Sequence, residues 1–226
     1  QRRQLLNGDW DIREGAAFTE FSRDIHVVQP FDIPSNWVKF RACDYGYGSY
    51  SAVVWFTVTP DEQLIVYREL YRKNLLGTEL ADLLTEMEYD DPYSVAGVLD
   101  TACWNRTGMT GPTVGETLLK AGHKLRRADK NRVQGKIQIH EYLKTQPSGR
   151  PRIQIFNTCP NLIRELQSIP LDKNNPEDVN THADDHAYDA LRYLIMSRPR
   201  MIDPLNRIRD LQREQIYQPV DNIFGY

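Results

Sequence analysis

Four aspartates of this chain lie where carboxylates can assemble a metal site. Asp44 ends a run of strand-forming residues, Asp100 ends a short apolar run, and Asp185 and Asp189 lie in a helical pattern towards the C-terminus. Clustered carboxylates repel one another, whereas Mg²⁺ or Mn²⁺ takes hard oxygen ligands and neutralises them. Two such ions about 4 Å apart bind a phosphate from both sides and activate a water for in-line attack. If the acids converge, the chemistry they predict is phosphodiester hydrolysis.

The last two acids belong to a stretch, residues 181–195, that has the pattern of a helix. Apolar residues recur there at three- and four-residue steps, while Asp185, His186 and Asp189 share a neighbouring face at i, i+1 and i+4. We place Asp189 about two turns into this helix, where a carboxylate needs a cation or a hydrogen-bond partner. The alternative is a capped, solvated helix start, because the helix dipole favours acids in the opening turns.

The elements that must position these acids begin with three strands in succession. Residues 37–44, 51–58 and 64–71 are rich in β-branched and aromatic residues and are joined by short turns, which predicts an antiparallel meander. From residues 95–100 onwards, strands and helices alternate, which is typical of parallel strands. We predict an α/β fold, a mixed sheet of three antiparallel strands followed by parallel strands, flanked by helices on both faces. Sites form at the carboxyl ends of such strands.

Each candidate residue also has a structural interpretation. Asp44 precedes Tyr45-Gly46 and fits a turn, and Asp100 fits a cap for the loop after its strand. His186 is more often a structural helix histidine than a ligand, although its spacing to Asp189 leaves a proton-transfer role open. These structural interpretations are less convincing when the acids are considered together. Asp44, Asp100 and Asp189 fall at places that one topology would bring together.

A basic segment lies around the start of a further predicted helix. Lys130, Arg132 and Lys136, with Arg127 just upstream, would present cations and free backbone N–H groups to a phosphate. We therefore assign these four residues to DNA binding, as contacts to the backbone. The alternative is a solvated, charged helix, because Asp129 dilutes the positive charge.

Length, charge and cysteine content limit the classes of protein to which this chain can belong. The chain has 226 residues, a formal net charge of −3 and no apolar stretch of membrane-spanning length, so we expect one well-buried soluble domain with no membrane partner. The net charge does not exclude nucleic acid, since metal-bound acids do not repel DNA. Cys43, Cys103 and Cys159 form no CxxC pair, which argues against a zinc site or disulfide framework and predicts a reducing compartment. The chain begins with Gln1 and not with Met, so we expect a fragment of a longer polypeptide.

Five segments of the sequence together form a family pattern: residues 5–10, 42–46, 98–100, 129–136 and 185–193. They resemble the nuclease domain of the large terminase subunit of tailed bacteriophages. The resemblance implies a ribonuclease H-like fold, related to RuvC resolvases. It implies a metal-dependent endonuclease that cleaves double-stranded concatemeric viral DNA during genome packaging in the host cell cytoplasm. It also implies two divalent ions, Mg²⁺ or Mn²⁺, as cofactors.

The resemblance also carries residue roles. In that family an acid on the first strand and an acid after the fourth strand bind metal together with an acid on the last helix. For the helix, a RuvC-like alignment points to His186 and Asp189, whereas a paired-acid alignment points to Asp184 and Asp185. We favour Asp189 and keep Asp185. The implied catalytic residues are Asp44, Asp100, Asp185, His186 and Asp189, of which the four aspartates are the metal ligands.

We divide the chain into a linker or end of an upstream ATPase domain at residues 1–36, a ribonuclease H-like nuclease domain at 37–199 and a C-terminal tail at 200–226. No GxxxxGK[ST] motif is present, so the packaging ATPase that the resemblance implies would be a separate upstream domain. The implied partners are double-stranded DNA, that ATPase domain, the portal and the small terminase subunit. Two alternatives stay open: a structure-selective resolvase or transposase-like nuclease of the same fold, and a non-catalytic module that docks on a portal or motor.

Overall fold

A seven-stranded mixed sheet forms the centre of the protein. The computed structural model describes residues 15–91, 95–106, 111–173, 175–180 and 183–198. The strands in chain order are β1 (Val27–Val28), β2 (Val38–Asp44), β3 (Tyr50–Val58), β4 (Leu64–Lys73), β5 (Ala96–Leu99), β6 (Lys124–Arg127) and β7 (Ile153–Phe156). They lie side by side in the order β1-β7-β4-β3-β2-β5-β6. Strands β2, β3 and β4 pair antiparallel and the other pairs are parallel, as the sequence predicts.

Helices cover both faces of this sheet. They are α1 (Arg23–His26), α2 (Gly77–Met87), α3 (Val114–Lys120), α4 (Arg132–Leu143), α5 (Pro160–Ser168) and α6 (His186–Ser197), with a 3-10 turn at Thr101–Trp104. The apolar residues of α4, α5 and α6 belong to a core cluster on one face, and those of α2 and α3 belong to a second cluster on the other face. The predicted α/β fold with helices on both faces is therefore confirmed.

The central strand β3 explains why both faces are covered. Val54 and Phe56 belong to the cluster under α4, α5 and α6, whereas Val53 and Trp55 belong to the cluster under α2 and α3. Successive side chains of a strand point to opposite faces, so a run of consecutive apolar residues requires a helical layer on each side. None of the helices within the described ranges is long and apolar enough to cross a membrane.

The segment before β2 packs against the main core. Phe18 and Phe21 are buried in the cluster under α6, and Val27 and Val28 pair in parallel with β7. This two-residue strand is too short to leave a pattern in the sequence, and we did not predict it. The domain boundary at residue 37 stays a prediction, and residues 1–14 and 199–226 lie outside the described residues.

Helix α6 starts later than the sequence indicates. It begins at His186, because Asp185 has φ −126° and ψ 10° and so stands outside the helix as its N-cap residue. The prediction of Asp189 two turns into a helix was therefore wrong, since Asp189 lies in the first turn. The predicted apolar face is confirmed: Ala187, Ala190, Leu191, Leu194 and Ile195 are all buried.

Candidate active site

Asp44 and Asp100 lie side by side at one edge of the sheet. Asp44 is the last residue of β2, and β5 pairs with β2 in parallel with Leu99 opposite Cys43. The amide N–H of Asp100 donates to the Cys43 carbonyl oxygen at 3.0 Å, which extends this pairing by one residue. Carboxyl ends of parallel strands share an edge, and the two acids therefore project from neighbouring strand ends.

The start of α6 lies across the same edge. His186 donates from Nδ1 to Asp44 Oδ2 at 3.1 Å, which ties the first residue of α6 to the end of β2. Burial raises the pKa of Asp44, the His186 hydrogen bond lowers it, and the nearby charges of Asp189 and Asp100 raise it again. Asp44, Asp100 and Asp189 thus act on one another electrostatically, at the place where the sequence analysis expects them to meet.

Asp185 and Asp189 share a guanidinium from another helix. Arg132 Nη1 lies 3.2 Å from Asp189 Oδ2, and its Nη2 lies 3.6 Å from Asp185 Oδ2. Arg192, three residues after Asp189 and fully buried, adds a second cation 3.1 Å from Asp189 Oδ1. Burial and the neighbouring Asp189 raise the pKa of Asp185 to about 6, although Arg132 opposes them. Asp184 is exposed, so of the paired acids it is Asp185 that joins the group we call the acid cluster: Asp44, Asp100, Asp185 and Asp189.

The four residues that we assign to DNA binding have different surroundings. Lys130 lies 2.8 Å from Asp100 and is half exposed, and Arg127 is exposed above the ring of Trp104 at 5.5 Å. Arg132 is engaged by acids, with its Nε also donating to Asp178 at 2.7 Å. Lys136 is buried and donates to the Pro176 carbonyl oxygen at 2.8 Å, and burial lowers the pKa of its ammonium. Their roles in DNA binding stay predictions.

Two glutamates that the sequence analysis did not single out fix the helices around the site. Helix α6 has no side-chain cap of its own, and buried Glu165 of α5 accepts the Tyr188 N–H at 2.8 Å instead. Helix α5 likewise lacks a cap, and Glu69 of β4 accepts the Leu162 N–H at 2.8 Å and the Asn161 N–H at 3.0 Å. The sheet thus holds α5, and α5 holds the helix that carries Asp189.

Burial gives the carboxyl group of Glu165 an unusual pKa. Its side chain is 1% exposed, and desolvation raises its pKa to about 7 despite the Tyr188 hydrogen bond, which lowers it. One of its oxygens, Oε1, accepts no hydrogen bond within the described residues. Nothing in the local sequence marks such a cap, because the donor lies 23 residues away on another helix.

The carboxylates have the chemistry of a divalent-cation site. Oδ1 of Asp44 and Oδ2 of Asp100 accept no hydrogen bond from any described residue, which leaves hard oxygen donors available on neighbouring strands. Each of the four acids lies beside a basic side chain of the protein. Within the described ranges, no three His, Cys, Asp or Glu side chains form a ready-made metal cage. A cation would therefore have to compete with Lys130 and Arg132 for its ligands.

The protein shares its fold with the nuclease domains of large terminases. The nuclease domain of the P22 large terminase matches with a TM-score of 0.67 and 17% identity, over 82% of this chain and 93% of that one. The large terminase of a thermophilic bacteriophage in complex with ADP matches with a TM-score of 0.68 and 19% identity, over 83% of this chain and 46% of that one. The large terminase nuclease of thermophilic phage G20c with bound cobalt has a TM-score of 0.57 and 10% identity, over 82% and 98%.

These matches confirm the fold that the resemblance implies. At identities of 10% to 19% they establish architecture, and this chain spans about half the length of the terminase that carries ADP. No family model matches the sequence, and no curated protein sequence matches it either.

Proposed function

We propose that the protein is a divalent-metal-dependent endonuclease that cleaves double-stranded concatemeric viral DNA during genome packaging in the host cell cytoplasm. The observation that carries the proposal is the position of Asp44 and Asp100 on adjacent strand ends, with the start of α6 across them. The shared fold with terminase nuclease domains, one of them with bound cobalt, supports it. Two divalent ions, Mg²⁺ or Mn²⁺, held by these acids would neutralise their charge and would activate water for in-line attack.

In this proposal the metal ligands are Asp44, Asp100 and Asp189, with Asp185 beside them. Asp44 and Asp100 each have one carboxylate oxygen without a hydrogen bond from a described residue, and Asp189 would bind a metal ion in competition with Arg132. Arg192 remains beside Asp189 because its side chain is fully buried. Strand pairing thus fixes the positions of Asp44 and Asp100. Buried side chains fix the positions of Asp185 and Asp189 at the start of α6.

His186 orients Asp44 in this arrangement. Its Nδ1–H donates to Asp44 Oδ2, which leaves Oδ1 without this partner, and the hydrogen bond raises the pKa of the imidazole. When the imidazole is doubly protonated, its positive charge offsets that of the Asp44 carboxylate. His186 therefore belongs to the catalytic group as the residue that holds a ligand and a proton.

The proposed DNA contacts differ in how they are made. Lys130 and Arg127 lie at the carboxyl edge beside Asp100 and would contact phosphate directly. Arg132 would join them only if a metal ion took its place beside Asp189. Lys136 supports this surface by anchoring the Pro176 loop from inside. The upstream ATPase domain, the portal and the small terminase subunit complete the proposed set of partners.

Plasmid cleavage tests this proposal. Supercoiled DNA is incubated with the protein and Mn²⁺ or Mg²⁺, and we expect nicked and linear products that disappear with EDTA and with Asp44→Asn. Asp82→Asn, which removes an exposed acid from α2, is the control and should cut like the wild type. Cutting that survives EDTA or Asp44→Asn would refute the proposed site.

Substrate competition separates the proposal from a resolvase of the same fold. A packaging nuclease should cut linear duplex and a four-way junction of the same sequence at similar rates. Strong preference for the junction would favour the resolvase alternative. Absence of cutting together with tight portal binding would favour the docking module.

A further inference from the structure

Two tyrosines and two cations form a structured surface beside the acid cluster. The rings of Tyr50 and Tyr71 stack with centroids 4.3 Å apart and an interplanar angle of 29°. The Lys73 ammonium lies 4.3 Å from the Tyr50 centroid, and the Arg164 guanidinium carbon lies 5.5 Å from the Tyr71 centroid. We call these four residues the tyrosine shelf. Both cations are exposed at its surface.

The shelf lies next to His186. The centroids of Tyr50 and Tyr71 are 6.2 Å and 6.5 Å from that of the His186 ring, which itself bonds to Asp44. In the sheet, β3 and β4 lie on one side of β2, whereas β5 and β6 lie on the other. The shelf and the Lys130 side chain therefore flank the acid cluster from opposite sides.

The chemistry of the shelf is that of an anion contact. Within the described residues Lys73 pairs with no carboxylate, and its contact with the Tyr50 ring holds the ammonium in place. Arg164 donates from Nη1 to Asn161 Oδ1 at 2.7 Å, and its Nη2 lies 3.7 Å from Glu165 Oε1. These contacts fix its orientation, while its side chain is 50% exposed. Lys73 is thus an exposed cation without an acid partner, and Arg164 has one acid partner, at 3.7 Å. Exposed Lys and Arg side chains are among the groups that contact DNA phosphates.

We propose that the tyrosine shelf is a second contact to the DNA backbone, on the side of the acid cluster opposite Lys130 and Arg127. The inference rests on the proposed nuclease function and names how its substrate is held. A strand that runs along the carboxyl edge from β4 to β6 meets Lys73 and Arg164 first, then the acids, then Lys130. Both sides of the scissile phosphate are thereby positioned by cations.

Salt-dependent DNA binding tests the shelf with a matched control on the same strand. Fluorescence anisotropy of a labelled duplex is measured across salt concentrations, with Ca²⁺ as the cation that screens the acids. The variants are Lys73→Ala and Arg164→Ala, and the control is Arg72→Ala. Lys73 pairs with Tyr50 on the shelf face, whereas Arg72 pairs with Ser51 and so faces the other side of the sheet.

We expect Lys73→Ala and Arg164→Ala each to weaken duplex binding about fivefold and to reduce the salt slope by about one. Arg72→Ala should leave both quantities unchanged, and none of the three should change Mn²⁺ affinity. Arg164→Lys, which retains the charge, should keep the slope. Because Lys73 is exposed, its variant retains the fold and carries the test even if Arg164→Ala unfolds, which thermal unfolding will show.

The outcomes distinguish this inference from the proposed function. If wild-type protein binds duplex DNA and the two shelf variants have the same duplex affinity and salt slope as Arg72→Ala, the proposed DNA contact of the tyrosine shelf is wrong. The nuclease proposal then stands. If the wild type binds no duplex DNA, both are wrong. Reduced salt slopes confined to the shelf variants would support both.

Discussion

At the residue scale, each carboxylate of the acid cluster faces a basic side chain of the same protein. Asp44 bonds to His186 and Asp100 to Lys130, while Asp185 and Asp189 share Arg132. These pairs lower the repulsion between acids that are partly removed from water. In the proposed function, a metal ion would therefore have to compete with these protein cations for the carboxylates.

Lys130→Ala tests that exchange. The Lys130 ammonium lies 2.8 Å from Asp100 Oδ1 and competes for the same carboxylate. Without it, we expect the Mn²⁺ affinity, measured by calorimetry in the absence of DNA, to rise about threefold. A change of this size corresponds to the free energy of a modest ion pair near the surface. Lys124→Ala, which removes an exposed lysine at the other end of β6, should leave the affinity unchanged. Weaker Mn²⁺ binding by Lys130→Ala would contradict the competition.

The sequence indicated that the acids would lie together, but it did not single out Arg192 and Glu165, which also contact the start of α6. Asp44 and Asp100 were predictable because strand ends are visible in the apolar pattern and an acid follows each one. Arg192 was within reach too, since it stands three residues after Asp189, the spacing at which helix side chains meet. Glu165 was not predictable, because its partner is the backbone of a helix that only the tertiary fold brings near.

At the scale of elements, α6 is held by contacts from two neighbouring helices. Glu165 of α5 caps its first turn, and Gly135 of α4 lets the Arg192 side chain lie against the α4 backbone. The start of α6 carries His186 and Asp189, so the geometry of the acid cluster depends on both contacts.

Glu165→Gln tests whether the negative charge of Glu165, as distinct from its hydrogen bond to the start of α6, affects stability. The pKa of Glu165 is about 7 in the folded protein and has an ordinary value of 4.5. The folded state therefore binds a proton that the unfolded chain releases between those pH values, and wild-type stability falls as pH rises through this window. Glutamine keeps an acceptor for the Tyr188 N–H and has no charge to bury.

Relative to the wild type, Glu165→Gln should gain up to about 3 kcal/mol in the free energy of unfolding between pH 4.5 and pH 8, at 1.36 kcal/mol per pKa unit. Urea unfolding at both pH values measures this change, and groups common to both proteins cancel in the difference. A difference between variant and wild type that does not vary with pH would show that the buried carboxylate is not the cause.

Gly135→Ala tests the contact between α4 and α6. A Cβ at this position would lie 2.4 Å from Cγ of Arg192, whose side chain is fully buried and cannot withdraw. We expect a loss of about 1–3 kcal/mol in unfolding free energy, the range for overpacking, and weaker Mn²⁺ binding because Arg192 contacts Asp189. Gly48→Ala, where a Cβ meets no atom within 4 Å, is the control and should change neither quantity.

The elements were predictable where their pattern is long. The three antiparallel strands were found to within two residues, since β-branched and aromatic runs of that length have no competing interpretation. The start of α6 was misplaced because Asp184 and Asp185 are typical of a first helical turn, whereas the backbone angles of Asp185 place it outside the helix. Strand β1 was missed because two residues carry no periodicity.

At the scale of the whole molecule, the core extends beyond the predicted nuclease domain at residues 37–199. Phe18 is 2% exposed, and its ring centroid lies 5.5 Å from that of Tyr188 and 4.9 Å from that of His140. The segment before β2 thus packs directly against α4 and α6. A domain cut at residue 37 would expose part of this core to water.

Phe18→Ala measures that dependence. Removing a buried phenylalanine side chain leaves a cavity and should cost about 3–5 kcal/mol of unfolding free energy. Phe31→Ala, which removes a ring that is 44% exposed, should cost clearly less. Equal losses in the two variants, measured by urea unfolding, would mean that residues 15–28 do not belong to the cooperative core.

The central claim is that acids from β2, β5 and α6 form one divalent-cation site, and calorimetric titration with Mn²⁺ tests it most directly. We expect wild-type protein to bind Mn²⁺, Asp44→Asn and Asp189→Asn to lose at least about tenfold in affinity, since each removes a ligand, and Asp82→Asn to bind like the wild type. Wild-type protein that takes up no Mn²⁺, or site variants that bind it as well as Asp82→Asn does, would contradict the account.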